Sequence, residues 1–389
     1  MLKKFLCSIF VIFISVCLMF FIKIHKQTDL SIIKIEFTSW GSESELNILK
    51  PIITDFEKEN PNIKIEFLHI PQNYYQKLHL LFASNTAPDV VFINNQYLPI
   101  YANANMLESL DDLKQDFELN KFYKQSIDSL TYKNNLYAIP RDISNLVIFY
   151  NKDLFDKYKV KYAKDDWTYE EFLNTAQKLT HKNEVFGISF EEEPLFYLPY
   201  LMSFGLEGIP YFEDKTTQYG LNIYSDLRNK YKVAPKKSDI GSLTMAQMFL
   251  QEKLAMHLSG RWLVPKYREN ASFDWDIVRF PAGSAGSIVP TDSSGWAITK
   301  TSKHKQEALK FIKYLSSKKV SEQFTQGGLI VPARIDVANS KYFMDDLLPR
   351  NNKAFLETIK NSKATPVSID YREKIDNLKT KTEYLFNKE

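Results

Sequence analysis

The chain has only two cysteines, Cys7 and Cys17, and both fall within its first 24 residues. The body that follows can therefore hold neither an internal disulfide nor a thiolate metal site. Glycine is scarce, 12 in 389 residues, and neither G-x-G-x-x-G nor G-x-x-x-x-G-K-[ST] occurs, so phosphate-cradling loops are not expected. His25, His69, His79, His181, His257 and His304 include no pair at H-x-x-x-H spacing, which argues against a zinc hydrolase. No G-x-S-x-G is present, so a serine nucleophile on a sharp elbow is not expected either. An excess of one charge is also missing: 50 Lys+Arg against 47 Asp+Glu give a net +3, too little and too dispersed for binding nucleic acid. No metal or cofactor is expected.

What is present is length and apolar content. At 389 residues, 44% hydrophobic and 14% aromatic, the chain exceeds what one core usually holds and should form roughly two lobes. Lys3 and Lys4 precede an uncharged stretch of about 18 residues, from Phe5 to Ile22, which reads as a membrane-targeting segment. Lys23 and Lys26 follow without an A-x-A cleavage pattern, which favours an uncleaved anchor. The alternatives are a lipoprotein modified at Cys17, where the run from Ile14 resembles a lipobox with a bulky Val16, and a cleaved signal. The body is expected on the outer side.

Beyond residue 30 the apolar period alternates between strand and helix. Residues 31–37 and 63–68 alternate as strands, 45–60 and 74–84 carry helical spacing, and 90–93 is a continuous apolar run suited to a buried parallel strand. That order is the pattern of an α/β layer. Further strands are expected at 145–150, 255–258, 274–280 and 294–298, with helices at 167–179, 245–251, 303–315 and from Lys353 onward. No repeat or low-complexity linker interrupts the chain, so any crossing between lobes runs through strand-like segments.

Two carboxylates across a cleft would be enough for a glycoside hydrolase, but the runs Glu191–Glu193 and Asp165–Asp166 read more simply as solvated faces. The tryptophans say more. Trp40 and Trp296 adjoin glycine and Trp262 follows Gly260-Arg261, each at the edge of an apolar run, which places a flat ring at a strand end, where open α/β sheets form their ligand crevice. Such faces suit sugar rings, whose hydroxyls then pair with polar neighbours. Arg141, Asp142 and Arg334 are charged residues interrupting otherwise strand-like paths.

In order and spacing, the segments Phe37 to Gly41, Phe56 to Ile65, Thr86 to Phe92, Leu136 to Pro140, Phe149 to Phe155, Trp167 to Phe172 and Gly295 to Lys305 match a known pattern. The chain resembles the extracellular solute-binding proteins of carbohydrate ABC importers, the maltose- and multiple-sugar-binding group, over about residues 32–335. The resemblance implies an α/β, two-lobed periplasmic-binding-protein-like fold with an interlobe cleft and hinge closure. After an anchor and linker at 1–29, one lobe would take residues 30–142 and 293–331 and the other 145–290 and 334–389. Hinges would fall near Asp142–Ile143, Thr291–Asp292 and Pro332.

The same resemblance points to Trp40, Ser42 and Glu43 in the first-strand loop, to Asn94, Asn95 and Gln96, to Phe196 or Tyr197, and to Trp262 as a stacking ring, with Tyr371 as a late aromatic. Arg141, Asp142, Arg261, Ser294, Trp296 and Arg334 complete the candidate site. Arg261 stands where the pattern usually has a small residue or proline, and Asp292 to Ser294 replace a glycine run, which suggests a charged or heavily hydroxylated ligand. The expected function is a non-catalytic, largely monomeric sugar receptor delivering its ligand to an ABC permease. A surface glycosidase, or a receptor feeding a membrane signalling partner, are the alternatives.

Overall fold

The computed structural model describes residues 32–388. The expected membrane segment and Cys17 lie outside them, and no helix among the described residues is long and apolar enough to cross a membrane. Strand β1 (Ile33–Ser39), helix α1 (Glu43–Glu59), strand β2 (Ile63–His69), helix α2 (Tyr74–Ala83) and strand β3 (Val90–Asn94) follow one another as the period changes indicate. β1 pairs in parallel with both β2 and β3. Because helices cover both faces, β3 buries Val90, Val91, Phe92 and Ile93 together, which is why its sequence is apolar without alternation.

Strands β4 (Ile139–Ser144) and β5 (Val147–Asn151) follow in quick succession, and the chain later forms β6 (Met256–Ser259), β7 (Trp275–Val278), β8 (Pro290–Ile298) and the short β9 (Lys363–Ala364). The first sheet has the order β9-β8-β3-β1-β2, with β4 also paired to β8. It is mixed, since β8 runs antiparallel to both β3 and β4. The second sheet, β6-β5-β7, is antiparallel. Its central strand alternates between two cores. Ile148 and Tyr150 face one cluster with Met256, Leu258 and Val278, whereas Val147 and Phe149 face another with Trp275 and Ile277. Both faces are buried, so β5 also reads as a continuous apolar run.

Helix α3 (Tyr169–Leu179) opens with a reciprocal capping box. Thr168 Oγ1 accepts from the Glu171 amide at 3.2 Å, and the Glu171 carboxylate accepts from the Thr168 amide at 2.7 Å. Helix α4 (Lys305–Leu315) buries Ala308, Phe311, Ile312 and Leu315 against the first sheet. The helical end of the chain is broken in two, Lys353–Asn361 and α5 (Tyr371–Phe386), with β9 between them.

Core membership changes where the first sheet continues into the rest of the chain. Ile139, Trp296, Ile330 and Ala333 belong to the cluster around β1–β3, while Ile143 and Val331 belong to a cluster around β5. Three segments are bound together at this place. β4 and β8 pair Asp292 with Ser144 and Ser294 with Asp142, with a bulge at Ser294–Gly295. The Ile143 amide donates to the Val331 carbonyl at 3.0 Å, and the Ala333 amide to the Arg141 carbonyl at 3.2 Å.

Candidate functional site

A cleft of about 230 Å³ opens at these crossing segments. The β1 side contributes Trp40, Glu45, Arg141 and Ser294, the facing side contributes Arg261 and Trp262, and the crossings supply Asp142, Ile143, Ser144, Leu329, Ile330 and Val331. Trp40 leaves the end of β1 and packs against Phe92, Tyr74 and Tyr75, with ring centroids 4.2, 5.1 and 5.6 Å away. Gly41 makes the turn that follows with φ of 140°, a conformation side chains resist, and a Cβ there would lie 2.3 Å from the Glu45 carboxylate.

On the facing side the close approach falls at Gly260. A Cβ on Gly260 would lie 1.9 Å from the ring of Trp262, so the indole folds back over its own backbone only because position 260 has no side chain. Trp262 is nevertheless 37% exposed, a large flat surface presented at the cleft.

The charges in the cleft are largely paired. Arg141 donates through Nε to Asp142 at 2.7 Å and through Nη1 to Glu45, and all three side chains are buried. The guanidinium also lies 4.1 Å from the centroid of Phe92 and 5.7 Å from that of Trp296. Burial pulls the Arg141 pKa down, but Glu45 and Asp142 more than offset it and hold the group firmly charged. Burial pushes the Asp142 carboxyl up, a shift its contact with Arg141 opposes. Arg261 is 2% exposed and donates through Nη1 to Asn352 Oδ1 at 2.5 Å.

The structure thus brings Trp40, Arg141, Asp142, Arg261, Trp262 and Ser294 into one cleft. Other candidates lie elsewhere. Trp296 is fully buried, because β8 starts at Pro290 and carries the indole into the middle of the sheet against Phe37, Phe92 and Phe324. Tyr197 is buried on the helix Pro194–Met202 against Tyr224 and Phe386, and its half-buried neighbour Phe196 packs on the same core. Tyr371 opens α5 and packs into that core as well.

Arg334 points away from the cleft, to Glu118 at 2.8 Å and Asp336 at 3.0 Å. Ser42 is the N-cap of α1, accepting from the Glu45 amide, and Glu43 is exposed in the first turn. Asn95 and Gln96 donate to the two carboxylate oxygens of Asp292 at 2.9 and 3.0 Å, so they brace a crossing strand. Asn94 Oδ1 accepts from the Tyr97 amide at 3.2 Å.

The acidic runs are also engaged in structure. Glu192 pairs with Arg228 at 2.9 Å, Glu193 with Lys379 at 2.5 Å, and Asp165 accepts from the Arg279 amide at 3.0 Å. A larger and more open depression of about 650 Å³, lined by residues within 177–186 and 228–239, touches none of the candidates. Among the described residues no group of three or more His, Cys, Asp or Glu side chains converges as a metal site.

Glu45, Ile143, Ser144, Leu329, Ile330 and Val331 line the cleft without having been among the expected ligand residues. In α1 the buried stripe is Glu45, Leu49, Ile52, Ile53 and Phe56, so Glu45 takes the inward position that periodicity assigns to Leu46. The i, i+4 spacing of Glu45 to Leu49 was the available signal.

Two α/β lobes, strand-like crossings and a cleft at the crossings define a two-lobed, periplasmic-binding-protein-like fold. The family model of the bacterial extracellular solute-binding protein matches residues 40–322, and the chain belongs to that family. It is similar to an ABC substrate-binding protein from Listeria monocytogenes solved in complex with cycloalternan, at 26% identity and a TM-score of 0.84 over 91% of this chain and 94% of that one. A maltose-bound protein of T. maritima shares the fold, with 22% identity and a TM-score of 0.80 over 91% and 94% of the two chains. The galactooligosaccharide-binding protein of Bacillus subtilis is 24% identical over 349 residues, 85% of this chain and 80% of the relative.

Proposed function

We propose that the protein is an extracytoplasmic receptor that takes a sugar or oligosaccharide between its lobes and delivers it unchanged to an ABC permease. The observation that carries this reading is that Trp40 and Trp262, from opposite walls, line one cleft together with Arg141, Asp142 and Ser294. Aromatic faces accept the C–H faces of a sugar ring, and paired charges beside them offer donors and acceptors already held in place. Relatives and neighbours named for galactooligosaccharide, maltose and cycloalternan support the same ligand class.

Closure follows from the cleft's two-sided construction. A ligand touching both walls binds the closed form better and shifts the population toward it. The bending would occur near 142–143, 291–292 and 332, between lobes of residues 30–142 with 293–331 and residues 145–290 with 334–389. At about 230 Å³ the cleft is smaller than the roughly 300–1,000 Å³ of usual ligand sites, so a longer oligosaccharide would project from it.

Glu45 and Asp142 are the cleft's carboxylates, and both are committed to Arg141, which supports binding over glycoside hydrolysis. The run from Phe5 to Ile22 would hold a monomeric body at the outer membrane surface beside its permease. Titration of the protein with mono- and oligosaccharides, with product analysis of each ligand that binds, tests the reading. Saturable binding with intact ligand supports it, and cleavage or an absence of binding refutes it.

A further inference from the structure

Among the described residues four arginines are buried, and three of them meet carboxylates. Arg141 contacts Glu45 and Asp142, Arg228 contacts Glu192 at 2.9 Å, and Arg334 contacts Glu118 and Asp336. Arg261 differs: among the described residues no carboxylate lies within ion-pair distance of it. Its guanidinium stacks over Phe343 at 4.1 Å and near Phe355 at 5.6 Å, and Nη1 is satisfied by Asn352. Nε and Nη2 are buried and have no hydrogen-bond partner.

The one acid that acts on its charge is already engaged. Asp345 receives Arg268 Nη2 on both oxygens at 2.9 Å and Asn352 Nδ2 at 3.2 Å. Burial, with Arg268 adding repulsion, pulls the Arg261 pKa down, and Asp345 only partly opposes this. An anion at the site would relieve that cost.

The two unpaired donors share one edge of the guanidinium, the fork whose parallel N–H bonds match the two oxygens of a carboxylate. Arg261 lines the cleft beside Trp262, so its side chain and the exposed indole belong to the same wall, with the fork itself covered in this conformation. We infer that this wall recognises an acidic sugar, stacking its ring on Trp262 and taking its carboxylate on the Nε–Nη2 edge of Arg261 when movement of the lobes uncovers it. The inference rests on the sugar-receptor reading and narrows it to uronic acids and oligosaccharides that contain them. A sugar phosphate would bring the same kind of oxyanion on a tetrahedral centre, and the planar fork favours the carboxylate.

The test is calorimetric titration of the full-length protein with D-galacturonate, D-glucuronate and their oligomers, set against the corresponding neutral sugars, glucose 6-phosphate, and the non-sugar carboxylates malonate and citrate. The expected result is at least about ten-fold tighter binding of one uronate than of its neutral counterpart. Arg261→Gln should bring that ratio close to one, and Arg261→Lys, which keeps charge without the fork, should leave it intermediate. If Arg261→Gln does not fold, the wild-type ratio decides.

Neutral sugars binding as tightly as uronates would overturn the inference and leave the sugar reading standing, and tighter binding of glucose 6-phosphate would overturn the carboxylate assignment. Binding of malonate or citrate with no sugar bound would support the fork and overturn the sugar reading. No binding of any probe would overturn both.

Discussion

Arg141 Nε lies 2.7 Å from Oδ2 of its own chain neighbour Asp142, and the same guanidinium reaches across to Glu45 on α1. One arginine thus joins a helix of the first lobe to the segment where β4 leaves it. Arg141→Met would leave two buried carboxylates facing each other and should destabilise the protein by about 3–5 kcal/mol. Glu45→Met leaves Arg141 still paired with Asp142 and should cost clearly less. Denaturant unfolding of the two variants checks the order, and equal losses would contradict the shared-guanidinium account.

Trp262 and Trp296 are chemically identical and should behave oppositely. Trp262→Ala removes a surface presented to the cleft and should weaken sugar binding by about 1–3 kcal/mol with little change in melting temperature. Trp296→Ala empties a fully buried site and should cost about 3–5 kcal/mol of stability, while the folded fraction binds as before. Calorimetric titration and thermal unfolding of both variants separate the two roles.

Gly260→Ala tests the cleft geometry without deleting an aromatic ring. The backbone at 260, with φ of −112° and ψ of 177°, suits alanine, so the added methyl acts only by displacing the indole that lies 1.9 Å from it. Ligand affinity should fall in the direction of Trp262→Ala while the melting temperature changes by no more than a few degrees. Unchanged affinity would show that the ring's position over Gly260 does not matter to binding.

Much of the fold could be read from the sequence because the hydrophobic period switches cleanly between β1, α1, β2, α2 and β3. The site could be read only in part, and the reason lies in particular residues. Glycine close to tryptophan pointed to Trp40 and Trp262, which line the cleft, but Trp296 after Gly295 sits in the interior of a nine-residue strand. Local sequence does not say how far β8 extends upstream. Arg141 and Arg334 look alike as charges in strand-like segments, yet one faces the cleft and the other Glu118. That choice is made by tertiary pairing of residues far apart in the chain. Glu45 was hidden because a glutamate on an inward helical position counts against burial until its partner Arg141 is placed.

Acid should loosen the first lobe at a definable point. Burial raises the Glu108 pKa, but Lys300 at 3.2 Å and Lys305 at 2.7 Å outweigh it and hold the carboxyl below its ordinary value near 4.5. A carboxylate depressed on folding contributes stability that is present above that value and lost as pH falls through the folded pKa. The pair is partly exposed, so the contribution is about 0.2–1 kcal/mol. Glu108→Gln should therefore lower the melting temperature at pH 7, by a margin that shrinks as pH falls below about 4.5; a difference independent of pH would exclude the ion pair as its cause.

The most direct test of the central account is calorimetric titration of the full-length protein with neutral and acidic oligosaccharides, followed by chromatography of the recovered ligand, with Trp262→Ala measured alongside. The account predicts one saturable site per chain, ligand recovered intact, and weaker binding in the variant. Cleaved ligand, or binding that Trp262→Ala leaves untouched, would contradict it.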